Sequence, residues 1–177
     1  MRAEPFDLLA ATPQAAGLRV EALRTVTAVT GRGILDAPSH FAAHAERPRF
    51  RAVAVHEGGE LAGFGYGYEE QPGSWWRARV EPALDRVGAA RLLDGAFCLV
   101  ELHVRPALHR SGIGRVLLRD LLDGLPHPRV LLSTQDGPNP ARGFYRRLGL
   151  RDVAPVDMDG VPYLVLTADL PLGGRRE

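Results

Sequence analysis

Arg105-Pro106-Ala107-Leu108-His109-Arg110-Ser111-Gly112-Ile113-Gly114-Arg115 is the stretch of this chain best suited to chemistry. An apolar run, residues 96–104, leads into it, and an apolar-periodic run, residues 116–125, follows. A strand therefore enters, two glycines sit at the turn, and a helix begins behind them. The first amides of a helix lack intrahelical partners and carry the positive end of its dipole, so this layout binds anions. Gly112 and Gly114 let a ligand approach the backbone, and Arg110 and Arg115 add fixed charge. A phosphorylated ligand is the expectation. A dinucleotide fingerprint would need glycine where Leu117 stands, and a phosphate-binding P-loop would need a lysine, which this chain lacks altogether.

A second motif lies further on. Asn139-Pro140-Ala141-Arg142-Gly143-Phe144-Tyr145-Arg146-Arg147-Leu148-Gly149-Leu150 begins 25 residues beyond Gly114. The first motif, Val104-x-Pro106-x-x-His109-x-x-Gly112-x-Gly114, resembles the acetyl-CoA motif of the GNAT (GCN5-related) N-acetyltransferases, Gln/Arg-x-x-Gly-x-Gly/Ala. His109 stands at the Gln/Arg position. The second resembles the family's later Asn-x-x-Ala-x-x-Phe/Leu-Tyr-x-x-x-Gly-Phe, with Leu150 in place of the last Phe. The resemblance is firm over residues 97–150, loose over 49–70 and 162–168, and absent as a motif before Arg49.

The resemblance implies transfer of an acetyl group from acetyl-CoA to an amine. In its terms the backbone of Leu102, His103 and Val104 meets the pantetheine and thioester. His109, Arg110, Ser111, Gly112, Ile113, Gly114 and Arg115 surround the pyrophosphate. Asn139, also a helix cap, and Phe144 complete the CoA contacts. An alkyl amine must lose a proton before it attacks, and a carboxylate or imidazole can take it. Glu101 and His103, two apart on a strand, share one face. Family resemblance makes Glu101 the candidate base, His103 the other choice, and Tyr145 the acid that protonates the CoA thiolate while Phe144 packs inward. The acceptor is a small-molecule amine or a protein N-terminus, bound around residues 35–45 and 71–79. Homodimers are frequent in the family. The alternative is an inactive CoA-binding or regulatory module on the same fold. A third reading is another nucleotide-binding domain that happens to carry Gly-x-Gly.

Other residues invite sharper readings. His40 and His44 have a zinc-like i, i+4 spacing but lack the glutamate of His-Glu-x-x-His, and no metal is expected. Cys98, the only cysteine, alternates with apolar residues and reads as buried rather than nucleophilic. Trp75 and Trp76 are either an aromatic wall over the acceptor or anchors for the segment that holds them. Glu69, Glu70 and Glu81 are either attractors for a cationic amine or ordinary surface carboxylates. Arg142, Arg146, Arg147 and Arg151 either steer phosphates or form a solvated helix face.

The elements that must position these groups follow from periodicity. A short strand is expected at residues 6–9, and a helix over 18–29, ended by Gly31 and Gly33. A second helix is expected over Ala37–Ala45. Strands at 51–56 and 61–68 form a hairpin turning at Glu57-Gly58-Gly59-Glu60. The second carries glycine at 63, 65 and 67 on one face and aromatics at 64, 66 and 68 on the other. A bare strand face invites a close helix or a ligand. An insertion over 69–95 holds the tryptophans and a helix at 82–93. Strands follow at 97–104 and 129–133, helices at 115–122 and 141–148, and a last hairpin (151–156 with 162–168) turns at Asp157-Met158-Asp159-Gly160. Residues 171–177 read as a disordered tail. The expected class is α+β, a single GNAT-like domain over 1–177. Its sheet is mixed and mostly antiparallel with flanking helices, and the resemblance implies that the strands at 97–104 and 129–133 run parallel and splay apart, admitting CoA.

Composition sets outer bounds. A chain of 177 residues suits one domain, and 45% hydrophobic with 24% charged residues is ordinary for a globular fold. A net charge of +1 gives no reason to invoke nucleic acid or a membrane. All 22 basic residues are arginine, which excludes a lysine nucleophile or Schiff base. One cysteine permits no intrachain disulfide. The opening residues lack the apolar core of a signal peptide, and no run has the length of a membrane span, so the cytoplasm is the expected location.

Overall fold

The bare face of the glycine-rich strand accepts a helix. A Cβ at Gly63 would come within 2.9 Å of the His103 carbonyl oxygen, 3.0 Å of Leu117 Cδ1 and 3.1 Å of Ile113 Cγ2. One at Gly65 would come within 2.8 Å of Leu102 Cδ1. Ile113 and Leu117 belong to the helix behind the Gly112–Gly114 turn, so the missing side chains seat that helix. The computed structural model describes residues 1–25, 37–137 and 140–173. The elements are β1 (Glu4–Pro5), α1 (Thr12–Leu23), α2 (Ala37–Ala45), β2 (Arg51–Glu57), β3 (Glu60–Glu69), α3 (Trp75–Arg86), β4 (Phe97–Val104), α4 (Ile113–Leu122), β5 (Arg129–Gln135), α5 (Pro140–Arg147), β6 (Arg151–Met158) and β7 (Val161–Asp169). The strands form a mixed sheet in the order β1-β2-β3-β4-β5-β7-β6. They belong to two compact units, Met1–Tyr68 with Leu99–Asp123, and Glu69–Cys98 with Gly124–Glu177.

In the first unit, β2 pairs antiparallel with β3 from Glu57↔Glu60 to Arg51↔Gly67, around a two-residue Gly58-Gly59 turn. Both glycines have positive φ, 61° and 85°, as that tight turn requires. The aromatic face of β3 forms the core. Phe64 and Tyr66 are fully buried and meet Phe41 of α2 edge-on, at 6.1 and 5.8 Å between centroids. Leu8 and, from α1, Ala15 and Leu18 close over them. On α4 the apolar residues recur at 113, 117, 118, 121 and 122, a single stripe, and all five are buried.

Two expectations near the N-terminus are corrected. The first strand is Glu4–Pro5, paired with Ala54 and Val53, rather than residues 6–9. Leu8 instead turns into the core. Helix α1 starts at Thr12, six residues before the expected start. Pro13 lies in its first turn, where a proline costs no amide partner. Val26, Val29, Gly31, Gly33 and Asn139 lie outside the described residues.

In the second unit, β5 pairs antiparallel with β7 from Arg129↔Asp169 to Gln135↔Tyr163, and β6 with β7 as a hairpin. The hairpin turn is Asp159-Gly160, tighter than expected because β6 continues to Met158. Asp157 Oδ1 accepts the Gly160 amide at 2.8 Å. The start of β4 pairs parallel with β5, Phe97 with Val130 and Cys98 with Leu131. The helix expected at 82–93 is instead α3, Trp75–Arg86, followed by a 3₁₀ turn over Ala90–Leu93. Ser74 caps it by accepting the Arg77 amide at 3.0 Å, and Pro82, read as a start, lies inside it. Its Val80, Ala83 and Leu84 pack with Leu131, Ala154, Val156 and Val165. Among the described residues no helix is long and apolar enough to cross a membrane.

Candidate active site

The groups expected to do chemistry fall in both units. In the first, β4 brings Glu101 and His103 to one face and then hands the chain to the glycine turn. Arg105 donates its amide to the Ala62 carbonyl at 2.9 Å, fixing the end of β4 beside β3. A 3₁₀ turn over Pro106–Leu108 follows. His109 returns its side chain to the strand, with Nε2 donating to the Val104 carbonyl at 3.1 Å. Arg110 and Gly112 both have positive φ, 68° and 92°, on either side of Ser111. A non-glycine residue held there is strained by about 1 kcal/mol or more, and such strain concentrates at functional loops. Gly112 caps α4 through backbone alone. The Ile113 amide reaches Ser111 Oγ only at 3.5 Å, and the Gly112 and Gly114 amides find no acceptor among the described residues. Ile113 turns its side chain into the core, whereas Arg110, Ser111 and Arg115 are exposed and Leu102 and Val104 half-buried. The loop is thus a run of outward amides with guanidinium groups around it, which fits a diphosphate.

Glu101 is held at both oxygens. Arg19 Nε, from α1, donates to Oε1 at 3.0 Å, and His103 Nε2 meets Oε2 in a short hydrogen bond. The three side chains are 17%, 12% and 13% exposed, in the order Glu101, Arg19, His103. Burial pushes the Glu101 carboxyl up, but the charges and hydrogen bonds of His103 and Arg19 outweigh it and hold it at about 2. A carboxylate can only accept, so His103 Nε2 carries a hydrogen, and Nδ1 is the ring atom left to take up a proton. The His103 ring also packs on Phe64, 5.6 Å between centroids.

His44 of α2 stands near this group. Its Nδ1 is 3.0 Å from the Tyr66 hydroxyl, and its ring is 5.3 Å from that of Tyr68. Burial, then His40, lowers its pKa, with Arg47 adding to the shift and Glu101 opposing it. His40 and His44 stack at 6.1 Å. Among the described residues no group of three or more His, Cys, Asp or Glu is placed to hold a metal ion.

In the second unit, α5 carries Phe144 and Tyr145, whose rings meet edge-on at 5.2 Å. Their burial is the reverse of the expectation. Tyr145 is only 9% exposed, and Phe144 is half-buried. Leu150 is buried and donates its amide to the Tyr145 carbonyl at 3.1 Å, closing the helix end after Gly149, whose φ is 94°. Arg142 and Arg146 are neutralised by Asp152, and Arg142 also by Asp136, while Arg147 and Arg151 are exposed.

The remaining candidates have structural partners. Trp76 Nε1 donates to Ser133 Oγ at 2.9 Å, so Trp76 is an anchor. Trp75 is 55% exposed, with the Arg79 guanidinium 3.9 Å above its ring. Glu69 accepts from His127 Nε2 at 3.3 Å and from Gln71 at 3.0 Å. Glu70 is buried and accepts from Ser74, and Glu81 pairs with Arg77. Cys98 is buried, and desolvation pushes its thiol well above the ordinary range. Arg19 was not legible as a site residue. It meets Glu101 across 82 positions of sequence, and nothing local marks it.

Comparisons with known proteins agree with this architecture. A sequence model of the Acetyltransferase (GNAT) family matches residues 20–150. The chain is similar to the GCN5-like protein acetyltransferase Rv2170 of Mycobacterium tuberculosis (strain ATCC 25618 / H37Rv), 41% identical over 101 residues. That match covers 52% of this chain and 49% of the relative, so the chain spans about half the length of the curated protein it resembles. Its fold is similar to that of the ribosomal-protein-alanine N-acetyltransferase from Brucella melitensis, with a TM-score of 0.70 at 14% identity, covering 96% of this chain and 100% of that one. It is also similar to the PaiA N-acetyltransferase from Thermoplasma acidophilum in complex with coenzyme A, with a TM-score of 0.66 at 12% identity and coverage of 96% and 99%. Two motifs in the expected order, a mixed sheet with a parallel β4–β5 pair, and a family match over most of its length make this chain a member of the GNAT acetyltransferase family.

Proposed function

We propose that the chain transfers an acetyl group from acetyl-CoA to a primary amine by direct attack. The observation that carries this reading is the Glu101–His103 pair on β4, followed directly by the amide-lined Gly112–Gly114 turn. His109, Arg110, Ser111, Gly112, Ile113, Gly114 and Arg115 hold the pyrophosphate, chiefly through backbone amides. The backbone of Leu102, His103 and Val104 receives the pantetheine and thioester. Asn139 and Phe144 complete the donor contacts.

His103 takes the proton from the attacking amine at Nδ1, with Glu101 as the carboxylate behind it. Glu101, held at about 2, is too weak a base to strip an alkylammonium group by itself. The neutral amine nitrogen forms the new C–N bond and releases its second proton to solvent, the C–S bond breaks, and Tyr145 gives its phenolic proton to the departing thiolate. Solvent then returns the proton from His103 to Tyr145. The acceptor is a small-molecule amine or a protein N-terminus. The Mycobacterium relative, a GCN5-like protein acetyltransferase, favours the protein amine. The expected location is the cytoplasm.

Thermal-shift titration with acetyl-CoA, CoA, ATP and NAD tests the donor, since a ligand that binds only the folded state raises its stability with the logarithm of concentration over Kd. Thiol release with a panel of small amines and alanine-ended peptides tests the transfer. A rise with acetyl-CoA and turnover on one panel member are expected. A rise without turnover on any amine would favour the inactive CoA-binding module. A rise with ATP or NAD alone would overturn the donor assignment.

A further inference from the structure

We infer that Arg19 is a positioning residue for the proton transfer, acting through Glu101 to hold His103 in the tautomer that leaves Nδ1 open. The inference rests on the reading of His103 as base. Arg19 lies on α1, between the buried Leu18 and the half-buried Val20, and reaches β4 rather than solvent. Its Nε–H occupies Glu101 Oε1, so the carboxylate turns Oε2 toward His103 Nε2. A carboxylate with only one tether rotates about its own axis and offers either oxygen. With Oε1 fixed at 3.0 Å, one orientation remains.

Charge reinforces the geometry. Among the described residues, the titratable and charged groups that act on the carboxylate are Arg19 from α1, His103 from its own strand and His44 from α2, with His40 and Arg47 acting on His44 in turn. Among these, Arg19 alone is a permanent cation in contact with Glu101. Its charge and hydrogen bond act on Glu101 beside those of His103, and they persist when His103 is neutral, the state a base must start from. An ionised Glu101 accepts from Nε2–H and selects that tautomer. A protonated or rotated Glu101 would accept or donate without preference, and Nδ1 would be blocked part of the time.

Imidazole ¹⁵N NMR of the full chain reads this directly, because the protonated and bare ring nitrogens have well-separated shifts. The His103 signals are assigned by comparison with His103→Gln. In the wild type, His103 is expected as the single Nε2–H tautomer at a pH where it is neutral. Arg19→Met is expected to give a mixture of tautomers and roughly a tenfold loss of kcat, a fraction of the roughly hundredfold or more that a base supplies. KM for acetyl-CoA should not change. Arg19→Lys, which keeps the charge, is expected to restore the single tautomer. If the Met variant does not fold, Arg19→Gln takes its place with the same expectation. A single Nε2–H tautomer in the neutral variant would overturn the role of Arg19 and leave His103 as base. An Nδ1–H tautomer in the wild type would overturn the base assignment itself, a separate result.

Discussion

Glu101 and His103, two residues apart on β4, face the same way and share a short hydrogen bond that the Arg19 guanidinium completes from the other side. The arrangement buries a carboxylate without neutralising it. It also gives the protein an acid-sensitive point. The folded carboxyl sits at about 2, below the ordinary 4.5, so on acidification the unfolded chain takes up this proton first. The stability it contributes is present above about pH 5 and is lost as pH falls toward 2. The shift corresponds to a contribution on the order of 3 kcal/mol. Denaturant titrations of wild type and Glu101→Gln should show a constant gap above pH 5 that narrows below it. A gap that stays constant to pH 3 would show that the carboxyl is not depressed.

Tyr145→Phe keeps the ring and its edge-on contact with Phe144 and removes only the hydroxyl. Acetyl-CoA binding should stay within about twofold, while kcat falls by roughly 100-fold, the lower end of general-acid effects. Thermal shift gives the first quantity and thiol release the second. Full turnover in this variant would remove Tyr145 as the acid.

The two adjacent tryptophans should respond differently to substitution. Trp76→Phe loses the hydrogen bond to Ser133 and should cost about 1 kcal/mol, and more if Ser133 is left without a partner. Trp75→Ala loses an exposed contact with Arg79, and its cost should stay under about 1 kcal/mol. If Trp75 forms a wall for the acceptor, its removal raises KM for the amine and leaves that for acetyl-CoA alone. Steady-state kinetics with each substrate varied separates the two.

Gly63→Ala places a methyl group 2.9 Å from the His103 carbonyl, a backbone atom that has little room to move. Overpacking of this kind costs about 1–3 kcal/mol. Gly65→Ala meets chiefly the end of the Leu102 side chain, which can turn aside, and should cost less. Chemical denaturation ranks the two, and equal costs would show that the backbone contact is not the limiting one.

What could be read from sequence follows from how local the determinants are. β4 and α2 begin and end where periodicity placed them, because their apolar residues and flanking breaks lie within the element itself. The glycine turn was legible for the same reason, since Gly112 and Gly114 act through their own backbone. α3 was misplaced because Pro82 is a strong breaker in isolation, yet the Ser74 cap and the packing of Val80 and Leu84 carry the helix through it. The burial of Tyr145 over Phe144 depends on what α5 packs against, which two adjacent aromatics do not reveal. Arg19 and His44 were missed as partners of β4 and β3 because their contacts are tertiary. The proposed choice of His103 over Glu101 as base rests on such contacts too, since His103 and Arg19 together hold the carboxyl low.

The glycine face of β3 bears on how damage to this protein would be traced. Gly63 has no reactive group and belongs to neither motif, yet it sets how far Ile113 and Leu117 can settle, and with them the start of α4. A methyl group there would press on the His103 carbonyl as well as on Ile113 and Leu117, and so disturb the strand end and the amide-bearing turn while altering no motif residue. A genetic screen would score such a variant as inactive, and a search confined to the motif residues would find them all intact.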